Sequence, residues 1–420
     1  LDEVTISIHG HTPKIQDRLT GVRGAFDKAV KGIRNIQALS GGRTVINIDV
    51  VINKQNIQHL REIIDFFRGM GIHEFDLLYI VPFGRGFSEY RRQLYFELDD
   101  HMEDLQRALE VSREEGVYIW TNRLPPEALE GFEDLIQAPH KLHSEIQGGL
   151  HNFEGFMKLG VPPDCHGERC NYCFLKGVCH DNMFDYADHL RAGTFDRVRI
   201  DLAEPVAGDA AGEALDRQTP QVLHVQGETA AEVVDYLSDH PYGEVEGLLT
   251  VGEVRERSEL PDFISAAAAQ RVVVRDAEAL EVAVDPAVAS EAGCVLEVEL
   301  SRETTDWILG HPEELATLVA SERLVGRLPN YEYLSAVREN GVTPEDLAAL
   351  GQAGVRLMNV APCLGGPRSE PGAHRELSRD LLDAKGHMKV TPYVQRYIEG
   401  EYYKKSHRCR DCSLAERCNG

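Results

Sequence analysis

Positive charge is scarce in this chain of 420 residues: 44 Lys and Arg face 69 Asp and Glu, for a formal charge of −25. Phosphate contacts need Lys and Arg, so the deficit argues against a nucleic-acid binder. The imbalance is strongest between Asp201 and Glu299, where 22 acidic residues stand against 5 basic ones, a balance of −17. The plain reading of that stretch is a solvated surface, with a basic peptide partner as the alternative. Long apolar runs are missing too: none reaches the ~18–20 residues that a membrane span requires. Nine cysteines are far fewer than a disulfide scaffold of this length would carry, and their clustering points to a reducing cytoplasm. What remains, 42% hydrophobic and 27% charged residues, is ordinary for a globular protein. The length suggests two or three domains.

The few cysteines that are present keep a rhythm. "CNYCFLKGVC" (Cys170–Cys179) and "CRDCSLAERC" (Cys409–Cys418) share the spacing C-x2-C-x5-C. Cys165 lies just ahead of the first triplet, completing four thiols: Cys165, Cys170, Cys173 and Cys179. Four thiolates suit a structural zinc site or a cubane iron–sulfur cluster, and spacing alone leaves the two equal. For Cys409, Cys412 and Cys418 the expected fourth ligand is Cys363, in the turn after the strand-like "VRLMNVAP"; a ligand beyond Gly420 is the alternative. Cys294, inside "CVLEVEL", reads as a small buried hydrophobe.

Strand and helix signals alternate along the first 125 residues. Val4–Ile8, Thr44–Ile52, Phe75–Pro82 and Val117–Thr121 read as strands, and helices fill the intervals. Ile57, Leu60, Ile63, Ile64 and Phe67 form one apolar helix face, with Asn56 as its expected N-cap. Repeated βαβ units imply a parallel sheet or part of a barrel. A helical stretch with His140, His143 and His151 leads into the first cysteine module, and Asp188–Leu202 reads as a bridge. "AGDAAGEALDRQTP" (Ala207–Pro220) reads as a linker before a second α/β series. Its strands are expected at Val222–Val225, Val245–Val251, Arg271–Val274, Val295–Leu300, Leu324–Leu328 and Val355–Val360. Each α/β series thus precedes a cysteine module, as in a duplicated architecture. The chain opens on a strand pattern without Met and stops two residues past Cys418, which reads as a fragment of a longer protein.

The N-terminal region resembles the second half of a radical S-adenosylmethionine barrel, of the subgroup that carries C-terminal SPASM or twitch cluster domains. The resemblance rests on Ser7-Ile8-His9-Gly10, followed by Gln16-Asp17 and Gly24-Ala25-Phe26, and on the turn Asn53-Lys54-Gln55-Asn56. C-x2-C-x5-C is the spacing of the SPASM module. The resemblance covers roughly residues 1–125 and the two cysteine modules. It implies an α/β fold: a partial parallel (βα) barrel of the radical type, followed by Cys-rich iron–sulfur modules and a second α/β domain. The expected boundaries are 1–138 for the half barrel, 139–200 for the first cluster module, 201–220 for a linker, 221–375 for the second α/β domain and 376–420 for the second module. The family's C-x3-C-x2-C, which binds the cluster that cleaves S-adenosylmethionine, is absent from residues 1–420, as is its glycine-rich methionine-binding strand.

The resemblance implies the following chemistry. Cys165, Cys170, Cys173 and Cys179, and Cys363, Cys409, Cys412 and Cys418, would hold two auxiliary [4Fe–4S] clusters, with a third cluster supplied N-terminal to Leu1. Ser7 would hydrogen-bond the ribose of S-adenosylmethionine, and Arg23 or the neighbouring Arg18 would pair with its carboxylate. The plain alternatives are a satisfied strand-end hydroxyl and solvated arginines. His9 faces either the cofactor or the packed rim. His140, His143 and His151 are surface helix residues before they are ligands, and Tyr402 and Tyr403 read as packing. "GGRT" and "GEVRER" are too short to be phosphate loops. The implied function is hydrogen abstraction from a peptide, protein or other bulky substrate. The partners would include a flavodoxin- or ferredoxin-type reductant and neither nucleic acid nor membrane. A non-catalytic α/β protein stapled by zinc or iron–sulfur clusters is the competing class. As it stands, the chain is expected to be unable to cleave S-adenosylmethionine.

Overall fold

The structure is a computed structural model. It describes residues 2–138, 140–202, 210–218, 220, 222–239, 247–253, 270–284, 294–331, 334–370, 376–402, 405 and 407–418. The chain divides into two compact units, Leu1–Ala138 with Cys165–Gly177, and Pro139–Asp164 with Val178–Gly420.

The first unit is built on four parallel strands in chain order: β1 (Glu3–Ser7), β2 (Val45–Ile52), β3 (Glu74–Tyr79) and β4 (Tyr118–Asn122). The four expected strands are all there. β2 is rich in Val and Ile, whose branched side chains suit a pleated, buried surface. Ile46, Ile48, Val50 and Ile52 of β2, with Phe75, Leu77 and Ile119, point to one face and are buried. Against that face packs α3 (Leu60–Arg68), through Leu60, Ile63, Ile64 and Phe67, all essentially inaccessible. Burying each of those side chains contributes about 2 kcal/mol. α1 (Pro13–Thr20) starts with a proline at its first turn and ends at Gly21, whose φ of 67° only glycine adopts easily. α2 (Ala25–Ser40) follows Gly24 and ends at Gly41. The helices lie on one side of the sheet's apolar face, and closure into a barrel is not formed by these four strands.

The second unit carries nine parallel strands, again largely in chain order: β5 (Arg197–Asp201), β6 (Val222–Gln226), β7 (Gly247–Glu253), β8 (Gln270–Val274), β9 (Cys294–Glu299), β10 (Leu324–Arg327), β11 (Arg356–Met358), β12 (Ser369–Glu370) and β13 (Leu377–Ser378). The spatial order runs β12-β11-β10-β9-β8-β7-β6-β5-β13. The six expected strands of the second series are present. Two expectations need correction. The bridge near Asp188–Leu202 contains β5, which pairs with β6 across the supposed linker. The linker itself carries a helix, Ala210–Asp216, with Ala211 and Ala214 buried.

The two edge strands of this sheet are joined by a short piece of chain. A flat sheet of nine strands would hold its edges ~38 Å apart, at ~4.8 Å per strand. From Glu370 to Leu377 the chain spans at most ~25 Å. The sheet is therefore curled. Its outer face is apolar, with Val198, Leu223, Val225, Val272, Val274, Leu296, Val298, Leu324 and Leu357 buried. Its inner face is charged. On that face Arg271 bonds Glu297 of the neighbouring strand and reaches the Met358 sulfur, 3.3 Å away, three strands along. Among the described residues no helix is long and apolar enough to cross a membrane.

Candidate functional site

The motif residues after β1 and β2 divide into two groups by what they touch. Most are fasteners. Asn56, fully buried, donates from Nδ2 to the carbonyls of His9 and Val51 (3.0 Å each) and accepts at Oδ1 from the Asn53 N–H (2.8 Å). It thus ties the ends of β1 and β2 together and does not cap α3, which enters through a short 3₁₀ turn at Ile57–His59. Gln16 accepts from the His9 N–H at 2.7 Å. Asp17 accepts from the N–H groups of Phe26 (2.9 Å) and Gly24 (2.6 Å) at the start of α2. Those bonds, first Phe26 and then Gly24, hold its carboxyl below the usual range. A Cβ on Gly10 would sit 2.7–2.9 Å from Ile15 and the Gln16 backbone, so only glycine fits there. His9 Nδ1 accepts from the Val51 N–H at 3.1 Å, which leaves the proton on Nε2. Burial lowers its pKa, and Asp49 partly offsets this. His9 is rim packing.

The second group shares the sheet face away from the helices. The strand register lines up Thr5, Asn47, Glu74 and Tyr118 in one row, and Ser7, Asp49, Asp76 and Trp120 in the next. Ser7 donates to Asp49 Oδ2 at 2.9 Å. Asp49 Oδ1 and Asn47 Oδ1 are buried and take no hydrogen bond. Tyr118 and Trp120 are large apolar rings left 58% and 59% exposed. The row is polar and carries two exposed aromatic rings, and beneath it lie two buried acceptor oxygens, Asn47 Oδ1 and Asp49 Oδ1, without a hydrogen-bond partner. Asn47, Asp49 and Trp120 were not singled out from sequence. The signal was available as the alternation of polar residues with Ile and Val in "VINIDVVI". Arg23 stands exposed on the Gly21–Gly24 turn, where its charge acts on Asp17. Among the described residues no hydrogen bond joins it to Ser7, whose hydroxyl goes to Asp49.

A cavity of about 600 Å³ opens at the carboxyl ends of β1 and β2. Its walls come from the N-terminal turns of α1, the β2 turn and the segment Arg91–Leu94, which is pinned by a 2.8 Å bond from Lys54 N–H to the Leu94 carbonyl. His11, Lys14, Arg18, Lys54, His59 and Arg92 line it together with Thr12, Gln55 and Gln93, and no acidic residue does.

The two cysteine modules repeat in backbone detail. In each, a five-residue 3₁₀ turn, Glu168–Tyr172 or His407–Asp411, carries the first cysteine of C-x2-C and ends one residue before the second. The N–H of Cys173 bonds the carbonyl of Cys170, and that of Cys412 the carbonyl of Cys409, both at 3.2 Å. The bonds Lys176 to Cys173 (3.0 Å) and Ala415 to Cys412 (3.1 Å) match again. The Leu414 N–H points at the Cys412 sulfur, 3.4 Å away. No disulfide involves the eight described cysteines. The turns and donor types fit paired metal ligands, but the cages are not closed. Among the described residues no group of three or more Cys, His, Asp or Glu side chains is placed to hold a metal ion. Cys165, Cys170 and Cys173 belong to the first unit and Cys179 to the second. Cys363 is exposed on the short helix Pro362–Gly365. The Cys294 side chain and Tyr403 lie outside the described residues. His140, His143 and His151 lie on helices His140–Gln147 and Leu150–Leu159; His143 Nε2 contacts the Gln147 amide.

No family model matches the chain, and no solved structure does. Curated relatives do. A probable GTP 3',8-cyclase of Sulfurisphaera tokodaii is 30% identical over 109 residues, 26% of this chain and 32% of that protein. The corresponding protein of Metallosphaera sedula is 31% identical over 109 residues, with the same coverage. The AdoMet-dependent heme synthase of Methanosarcina barkeri is 21% identical over 185 residues, 42% of this chain and 46% of that protein. The homology is to radical S-adenosylmethionine enzymes. The chain spans between a third and a half of the length of these relatives, and its parallel α/β sheets are consistent with theirs.

Proposed function

We propose that this chain is part of a radical S-adenosylmethionine enzyme that abstracts hydrogen from a peptide, protein or other bulky substrate. The observation that carries the reading is the row Ser7–Asp49–Asp76–Trp120 on the sheet face away from the helices, set in the stretch whose S-I-H-G and N-K-Q-N resemble the family's S-I-D-G and N-K-x-N patterns. Reductive cleavage of S-adenosylmethionine would supply the hydrogen-abstracting chemistry. This chain's share is recognition. The exposed Ser7 with its partner Asp49 would take the ribose hydroxyls, and Trp120 the adenine face. The two C-x2-C-x5-C modules would hold auxiliary [4Fe–4S] clusters, with Cys165 and Cys363 as fourth ligands. The cluster that opens the cofactor would come from a C-x3-C-x2-C outside residues 1–420, with a flavodoxin- or ferredoxin-type reductant.

The test is anaerobic. The product of the complete gene, reconstituted with iron and sulfide and reduced, should release 5'-deoxyadenosine from S-adenosylmethionine. Ser7→Ala with Asp49→Asn should weaken cofactor binding about tenfold, as loss of hydrogen bonds at a polar site does. Residues 1–420 alone should release none. A gene product that binds zinc in place of iron and leaves the cofactor intact would instead establish the metal-stapled, non-catalytic class.

A further inference from the structure

The cavity beside β1 and β2 has a chemistry of its own. Arg61, Arg68, Arg85, Arg91, Arg107 and Arg113, all in the same unit, each pair with a carboxylate. Lys14, Arg18, Lys54 and Arg92 make no such pair among the described residues, yet they converge on one cavity from three separate segments. His11 and His59 stand between them, their rings 5.7 Å apart, and His11 Nδ1 is buried without a hydrogen-bond partner. A chain carrying −25 has carboxylates in excess to neutralise four cations, and none lines this cavity. Glu62, whose charge acts on His11, does not line it either. Ser7 and Asp49 are likewise absent from its walls, so the cavity is separate from the polar row.

The geometry points to a binding site for a phosphorylated small molecule, its phosphate or diphosphate group held by Arg18 and Arg92 with Lys14 and Lys54 alongside. Guanidinium forks match phosphate oxygens in pairs, and lysines act as point charges. Four cations lining one cavity call for more charge than one carboxylate brings. The volume of about 600 Å³ exceeds a bare phosphate and falls in the range of small-molecule sites. His11 Nδ1, Gln55 and Gln93 supply neutral hydrogen-bonding groups for the organic part. The inference goes beyond the radical reading, because it needs neither iron nor S-adenosylmethionine.

The test uses residues 1–420 without metal, at low ionic strength, with pyrophosphate titrated by calorimetry. Saturable binding is expected, weakened about tenfold or more by Arg18→Gln and by Arg92→Gln, since each removes a charge-assisted pair. Thermal unfolding without ligand should be unchanged in both variants, because neither arginine has a partner among the described residues. Arg85→Gln, which alters a paired arginine of the same unit, should bind as the parent does. Sulfate, a dianion throughout the neutral range, should compete. Absence of binding at about millimolar pyrophosphate, or binding indifferent to both variants, would overturn the assignment. So would an oligoglutamate peptide that competes more tightly than pyrophosphate through the same arginines, which would make the site a dock for acidic protein. Each result is independent of whether 5'-deoxyadenosine forms.

Discussion

Asn56 and Ser7 sit in neighbouring motifs and do opposite work. Asn56 spends its whole side chain on backbone groups of two strands, and it is fully buried. Replacing it with alanine strands the His9 carbonyl and the Asn53 N–H away from water, while the Val51 carbonyl keeps Asn53 Nδ2 at 2.9 Å. Each unsatisfied group costs about 1–3 kcal/mol, so Asn56→Ala should destabilise the first unit by about 3 kcal/mol, read as a lower denaturation midpoint in urea. Ser7→Ala removes one exposed hydroxyl bonded to Asp49, and its midpoint should stay within about 0.5 kcal/mol of the parent. Equal effects of the two substitutions would show that the division between fastener and ligand residues is mistaken. Sequence alone could not make that division. It located Ser7, the N-K-Q-N turn and the glycine of S-I-H-G, but a side chain's partner depends on which neighbouring strand stands beside it. Asn56 accordingly read as a helix cap. Arg23 and Arg18 both lie near the place of the family's arginine without landing on it, and Arg23 stands exposed beside the αL turn at Gly24, its charge acting on Asp17.

At the scale of elements, apolar strands were legible and polar ones were not. β6 and β8 to β11 announce themselves by Val and Leu. β5 reads Arg-Val-Arg-Ile-Asp because one of its faces lines the charged concave side of the sheet, where Arg199 meets Glu376. The helix Ala210–Asp216 hid behind its own small residues. Those residues are there for packing: a Cβ on Gly386 would come within 2.6 Å of the Ala210 carbonyl and 3.1 Å of the Ala214 Cβ. The cysteine modules were legible as a repeat, and the matching 3₁₀ turns give that repeat a backbone form. If both modules bind the same group, anaerobic reconstitution should load about eight iron atoms per chain, four for each cubane. Serine at Cys170 and Cys173, or at Cys409 and Cys412, should each remove about half, with loss of half the visible absorbance. Retention of full iron by either double variant would show that its module is not a ligand set.

The whole second unit depends on how its sheet returns to its start. Curvature brings the end of the strand series back toward β5, where β13 adds as the edge strand, Leu377 beside Val198 and Ser378 beside Arg199. Glu376 is the clamp at that join. It is buried and pairs with His224 of β6 at 2.9 Å, with Arg199 of β5 at 3.8 Å and with Arg396 of the helix Val390–Gly400 at 3.6 Å. That helix leads into the last cysteine module, so one carboxylate fastens two strands, the closing edge and the approach to the module. Burial would raise its pKa, but the hydrogen bond and charge of His224, then Arg396 and Arg199, hold it below the ordinary value. The sign follows from linkage. A carboxyl depressed in the folded state contributes stability that is present above its unfolded value of about 4.3, and the contribution is lost as pH falls through the folded value. Glu376→Gln leaves His224, Arg199 and Arg396 facing a neutral group, and breaking a buried pair from one side costs about 3 kcal/mol. The variant should therefore melt several degrees lower at neutral pH, with the gap to the parent constant down to about pH 5 and closing below about pH 4. The first unit contains none of these partners, so the urea midpoint of Trp120 fluorescence, read with Trp307 replaced by Phe in both proteins, should not move. A gap that stays constant in acid would mean that Glu376 acts there by shape, and that the charged inner face does not hold the sheet closed.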